Sequence, residues 1–416
     1  MTRVCPRTLL AVSGILLCAV VPRSADAQSV PSWVETGFTY TGEVVTVPAG
    51  GLDRGVRYLD NVDVTATVRS DSLIGWSGLT AHIYGLGNQG GTPSTLVGDA
   101  QVTSNIEAPL SWRLYEAWLQ QTWGTRASVL VGLYDLNAEF DVNRTGSLFL
   151  NSAHGIGTPF GVSGRNGPSI FPVTSLAARL RVRVARRGYL QAAVLDGVPG
   201  NPADPGATVV RFGDDDGVLV ASEAGVYLGG TAPSRAAMVD RTAGVNAPIK
   251  FAVGGWAYTT PLRPWPQVNR PGVVPVASRG SAGAYLLAEG RLRREPGTDE
   301  QGLSGFVRLG WANDRYNRFS RYVGAGLVYT GPLPGRNADR VGLAVAGALN
   351  GDAFEAAQRR GGKPVTTAET NIEATYAAPV TPWLTIIGDV QYVINPNTDP
   401  TIPDALLGGI RVVVEP

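Results

Sequence analysis

Three arginines stand at every second position: Arg179, Arg181 and Arg183. Towards the other end of the chain Glu369 and Glu373 keep an even spacing, and Asp389 follows. On an extended chain an even spacing puts side chains on one face. Arginine offers only donors and an ionised carboxylate only acceptors. A passage lined by both suits neutral solutes whose hydroxyls donate and accept, sugars above all. The competing reading is that these charges solvate a wall and pair with one another.

Other chemistry is thin. The two histidines, His82 and His154, are far apart. No nucleophile elbow accompanies either, so an enzyme is not expected. Neither has a second His or a Cys at ligand spacing, so no metal and no cofactor are expected. Gly213-Asp-Asp-Asp-Gly217 has carboxylates for a hard cation but lacks the remaining ligands of a calcium loop, which favours a solvated loop. Gly161 to Gly167 is glycine-rich without the Lys-Ser/Thr of a phosphate loop.

The elements that would position the charges are strands. The chain has 416 residues, 53 glycines, 44% hydrophobic residues and a formal charge of +1. Such a balance gives no cationic excess for nucleic acid, so no nucleic-acid partner is expected. It also has too much apolar content for a disordered tail. Residues 1–27 read as a signal peptide: Arg3 and Arg7, an apolar run from Thr8 to Val21, then Ala25-Asp26-Ala27. An uncleaved anchor is the alternative. Cleavage would leave one domain, 28–416, and remove Cys5 and Cys18, so no disulfide could staple it. No later stretch has the roughly 20 consecutive apolar residues of a spanning helix.

Period two runs through the rest. In 61–69 the odd positions Asn61, Asp63, Thr65, Thr67 and Arg69 oppose Val62, Val64, Ala66 and Val68. Around 282–293 Tyr285, Glu289, Arg291 and Arg293 oppose Ala284, Leu286, Ala288 and Leu292. Asp63, Arg69, Glu289 and Arg291 are therefore expected on a lumen wall. Sixteen strands are predicted: 33–47, 58–70, 77–87, 112–123, 127–136, 176–186, 188–196, 218–230, 249–260, 281–294, 301–312, 322–331, 340–350, 367–378, 382–394 and 405–414. Long connections alternate with tight ones, as in outer-membrane barrels. The 231–248 gap breaks that rule. The reading is an all-β transmembrane antiparallel barrel of about 16 strands, in the outer membrane of a Gram-negative bacterium. A two-sheet soluble periplasmic protein is the alternative. The longest connection, 137–175, follows the fifth strand and carries Phe140, Phe149, Phe160 and Phe171 as anchors. It is expected to fold into the lumen as a constriction loop.

Several stretches resemble the carbohydrate-selective porin family of Gram-negative outer membranes. They are 55–64 (GVRYLDNVDV), 97–109 (VGDAQVTSNIEAP), 114–119 (LYEAWL), 132–141 (GLYDLNAEFD), 146–152 (GSLFLNS), 166–172 (NGPSIFP), 381–384 (TPWL) and 389–396 (DVQYVINP). They run in order along nearly the whole chain. The resemblance implies passive diffusion of monosaccharides and related small solutes. It places Asp135, Asn137, Glu139, Phe140, Asn151 and Asn166 in the strand and constriction-loop region. The expected pore lining is then Arg179, Arg181, Arg183, Asp135, Glu139, Asn166, Glu369, Glu373 and Asp389. Expected partners are small neutral sugars, outer-membrane lipid and the barrel-assembly machinery, as a monomer or a homotrimer. A general or anion-preferring porin is the second reading, motivated by the arginines. Two features depart from the family: Leu133 stands where a basic or amide residue is common, and the chain ends on Pro416 rather than an aromatic.

Overall fold

The computed structural model describes residues 33–229, 249–298 and 301–416. Residues 1–27 and the 231–248 gap lie outside the described residues.

Sixteen antiparallel strands close into one barrel. They are β1 (Val34–Ala49), β2 (Gly55–Arg69), β3 (Leu79–Gly90), β4 (Ser111–Trp123), β5 (Ala127–Tyr134), β6 (Ser175–Val184), β7 (Gly188–Asp196) and β8 (Val218–Leu228). Then come β9 (Ile249–Tyr258), β10 (Ala282–Arg294), β11 (Gly302–Ala312), β12 (Phe319–Thr330), β13 (Arg340–Asn350), β14 (Ala368–Thr381), β15 (Leu384–Ile394) and β16 (Ala405–Val414). The bounds fall within about three residues of those read from alternation, the margin expected at element ends. Each strand pairs with its sequence neighbours, and β1 closes on β16 with Glu43 opposite Arg411. No helix of the described residues is long and apolar enough to cross a membrane.

The two faces sort as a barrel in lipid requires. On β6 Leu180 is 48% exposed, whereas its neighbour Arg179 is 1% exposed. Ile83, Val131, Leu190, Val253, Leu343 and Ile410 point outward in the same way. With apolar groups outside and each described strand paired with a neighbour on both edges, the wall pairs its backbone within itself, as hydrocarbon demands. Trp112, Trp123, Trp311 and Trp383 are exposed near strand ends, the place of interfacial aromatic residues.

Inside, tyrosines lie across glycines of the next strand. A Cβ on Gly225 would sit 2.4 Å from the Tyr189 ring, and one on Gly254 would sit 2.1 Å from that of Tyr285. Only glycine admits so close an approach. Two glycines of the wall thus have a packing reason, which composition alone did not reveal.

Two long connections turn inward rather than standing above the rim. The 135–174 segment between β5 and β6 contains Leu136, Phe140, Phe149 and Phe160, all 2% exposed or less. Phe160 stacks on Trp256 of β9 at 5.3 Å between centroids. The 91–110 segment between β3 and β4 buries Leu96, Val97 and Ile106 against Val45, Leu59 and Leu407. Alternation identified the wall; it was silent on this second inward segment.

The two segments also hold each other. Asn105 N–H donates to the Leu150 carbonyl at 2.7 Å, and Ser152 N–H to that of Val102 at 3.0 Å.

Candidate pore-lining site

The inner wall grips the inward segments through charged side chains. Glu223 of β8 accepts Asp141 N–H at 2.8 Å. Glu289 of β10 accepts Thr145 N–H at 2.8 Å. Glu373 of β14 accepts the N–H groups of Leu150 and Asn151. Glu369, four residues earlier on the same face, accepts those of Ala100 (2.8 Å), Gln101 (2.9 Å) and Asn397 (2.5 Å). Each carboxyl oxygen takes up a backbone N–H that would otherwise lie buried and unsatisfied, at a cost of about 1–3 kcal/mol.

Cations hold the carbonyls. Arg308 of β11, fully buried, donates to the carbonyls of Asp141, Ala153, His154 and Gly155. Its Nε lies 2.9 Å from Asp141 Oδ1, an ion pair without hydrogen-bond alignment. Lys250 Nζ donates to the Val142 carbonyl at 2.9 Å. Asp141 sits in the left-handed region at φ 54, which costs a non-glycine residue unless neighbours hold it. Its N–H, carbonyl and carboxylate are all engaged.

The arginine triplet divides by depth. Arg179 donates to Glu139 Oε2 (2.8 Å), Ser128 Oγ (2.7 Å) and Gln120 Oε1 (2.7 Å), buried on all sides. Arg181 is 12% exposed, donates to Gln191 at 3.0 Å and lies 4.4 Å over the Tyr189 ring. Arg183 is half-buried on the same face. Sequence reasoning set the arginines against Glu369, Glu373 and Asp389. In the structure Arg179 instead pairs with Glu139 of the 135–174 segment, and the carboxylates of β14 serve backbone donors. A segment folded between the two walls takes up both sets of charges.

The other predicted positions scatter. Asp135 caps a short 3-10 turn by accepting Asn137 N–H at 2.8 Å, and its own N–H donates to Glu116 at 2.9 Å. Asn137 donates to the Phe140 carbonyl, and buried Asn151 donates from Nδ2 to Gln391. Asn166 is not brought to this group: it is exposed and donates to the Pro199 carbonyl at 2.7 Å. Asp389 accepts from Thr375 and Gln391, both at 2.9 Å. Arg69 pairs with Glu35 at 2.8 Å in an exposed position. Arg291 is half-buried on the inward face of β10, at a register shift that follows it. Asp63 is half-buried on β2.

Glu43, Glu116, Glu223, Lys250, Arg308 and Arg411 were missed. All are inward and charged. Marking each charged residue in phase with its strand's inward face would have found Glu223, which shares a face of β8 with Ala221 and Tyr227. Arg308 was hidden because glycines blur the alternation of β11.

Ionisation in the inward segments follows burial. Burial, with Arg308 nearby, pushes the His154 imidazole down to about 3. It is therefore neutral beside Glu373, 3.5 Å away. Burial pushes Glu107 up to about 7. Among the described residues no group of three or more ligands could hold a metal.

A closed antiparallel barrel with a lipid-compatible outside, a charged inside and segments folded into its lumen is the arrangement of a membrane pore. Residues 53–415 match the model of the carbohydrate-selective porin, OprB family. The chain belongs to that family. It is 30% identical to Porin B of Pseudomonas aeruginosa over 149 residues. That match covers 32% of this chain and 33% of Porin B, so the chain spans about a third of the length of this relative. The high-pH structure of Pseudomonas putida OprB superposes with a TM-score of 0.78 at 19% identity, covering 92% of this chain and 94% of the other. The low-pH structure gives 0.55 at 17% identity, covering 92% of each chain. At these identities the likeness is one of fold.

Proposed function

We propose that the protein is a passive channel for monosaccharides and related small solutes across the outer membrane of a Gram-negative bacterium. The single observation that carries this reading is the family match over residues 53–415, joined to a closed barrel that can hold it. The inward segments narrow the lumen, and wall and segments together present donors and acceptors. A neutral polyol can exchange its water shell for such a lining without meeting a net charge. Nothing in this route needs a covalent step or an energy source.

Of the predicted lining, Arg181, Arg183, Asp63 and Arg291 have exposure left for a solute. Arg179, Glu139, Glu289, Glu369 and Glu373 act one layer behind, fixing the segments that shape the passage. Export begins with removal of 1–27, and insertion uses lipid and the barrel-assembly machinery. A monomer suffices for passage, and a homotrimer would repeat it three times.

Liposome swelling tests the reading. Vesicles carrying correctly folded protein should swell in isotonic glucose faster than protein-free vesicles. Swelling equal to that of protein-free vesicles would reject it. A second reading, an anion-preferring pore, draws on Arg181 and Arg183 sharing one inward face. Strong anion selectivity in a planar bilayer, with no block by sugar, would favour it.

A further inference from the structure

The inward segments do not cover the lumen evenly. On the wall that anchors them, inner residues of β13 and β14 are sealed: Ala346, Ala348, Asn371 and Glu373 are all 0% exposed. On β2 and β3 the inward residues Asp63, Thr65, Thr67, His82 and Tyr84 keep partial exposure. The open side of the lumen therefore runs along β2 and β3.

That strip carries a built carboxylate. Asn61 Nδ2 donates to Asp63 Oδ1 at 2.6 Å, and Tyr84 OH donates to the same oxygen at 2.5 Å. Asn61 is itself held by Asn88 Nδ2 at 2.6 Å. The Tyr84 ring meets that of Tyr115 edge-on at 4.9 Å. Below it His82 stacks on Trp118 at 4.8 Å and 18°, with Nδ1 2.8 Å from Thr67 Oγ1. Both donors to Asp63 fall on Oδ1. Among the described residues Oδ2 has no partner, on a side chain whose orientation is already fixed.

We propose that Asp63, fixed by Asn61 and Tyr84, is a hydroxyl-binding subsite at which a passing neutral sugar docks through Asp63 Oδ2. The inference rests on the sugar-channel reading and deepens it by naming the contact. A carboxylate accepts hydroxyl protons more strongly than neutral oxygen does. A side chain already oriented loses little freedom on binding, which is the usual source of affinity in a weak site.

The test is single-channel recording in planar bilayers with titrated glucose, on wild type, Asp63→Asn and Tyr84→Phe. Wild type should show concentration-dependent block. Asp63→Asn should raise the half-blocking concentration about tenfold, the loss of a hydrogen bond to a charged group. Tyr84→Phe keeps the ring but frees the carboxylate, and should raise it by about threefold, a weaker effect in line with losing one orienting bond. Because Tyr84→Phe preserves packing, it remains informative if Asp63→Asn fails to fold. Half-blocking concentrations equal to wild type in the variants that fold would overturn the subsite. A change in ion selectivity with sugar block unaltered would also overturn it, making Asp63 a wall charge only. Absence of block in wild type would instead overturn the sugar-channel reading beneath it.

Discussion

Arg308 and Asp141 meet twice: Arg308 Nη2 donates to the Asp141 carbonyl at 2.6 Å, and Nε lies 2.9 Å from the Asp141 carboxylate. One side chain of the wall thus fixes both the backbone and the charge of a residue in the inward segment. Removing one partner of such a buried pair leaves the other charge stranded, at a cost of about 3–5 kcal/mol. Arg308→Met should lower the unfolding temperature of the purified barrel in detergent. It should also give larger, noisier single-channel currents as the 135–174 segment loosens. Stability and conductance both equal to wild type would contradict the anchoring role.

Arg179 and Arg181 should separate in experiment. Arg179 is sealed between Glu139, Ser128 and Gln120, so Arg179→Ala should destabilise the barrel and disturb its folded gel mobility. Arg181 has exposure to the lumen, so Arg181→Ala should keep the fold and shift reversal potential away from anions in a salt gradient. Unchanged selectivity would remove Arg181 from the passage.

Acid sensitivity should trace to His154. The unfolded imidazole takes up a proton near 6.5, whereas the folded one does so only at about 3. Between those values the unfolded state binds more protons, so stability is fully present above 6.5 and falls as pH drops towards 3. Glu107 works the other way. Its folded carboxyl is raised to about 7 from an ordinary value of 4.5, so its contribution is full below 4.5 and fades as pH rises through 7. His154→Gln isolates the histidine. The gap in unfolding temperature between wild type and variant should change between pH 7.5 and pH 4.5, to the disadvantage of wild type in acid. A constant gap would show that His154 does not titrate on unfolding.

The outward face has its own test. Leu180 is 48% exposed between Val129 and Ala192 of the neighbouring strands. Arginine on the lipid face costs roughly 2–4 kcal/mol near the midplane. Leu180→Arg should reduce the fraction that becomes heat-modifiable after folding into lipid vesicles, while Ala178→Ser on the same face should not. Equal folding yields for wild type and Leu180→Arg would argue that this face does not meet hydrocarbon.

The wall was legible because period two is a local property. Val62, Val64 and Val68 against Asp63 and Thr65 state which side of β2 is wet, whatever lies across the barrel. Strand ends were legible to within about three residues for the same reason. The use of each charge was not. Glu373 looks like a pore-lining acid in sequence, yet its partners are the N–H groups of Leu150 and Asn151. A backbone donor leaves no trace in residue type, and these lie more than two hundred positions away. The 91–110 segment was hidden likewise, because Thr103, Ser104 and Asn105 lie in no alternating stretch. They are polar because they satisfy Glu43, Arg411 and the neighbouring segment inside.

The seam between β1 and β16 sets a schedule. Glu43 and Arg411 are joined at 2.5 Å although 368 positions separate them. Both edges of the growing sheet stay open until the last strand arrives, and contacts of such long range are slow to form. Open edges are also templates for pairing with other chains. The unfinished sheet therefore carries its greatest aggregation hazard just before completion, and an escort that shields β1 would be needed longest there.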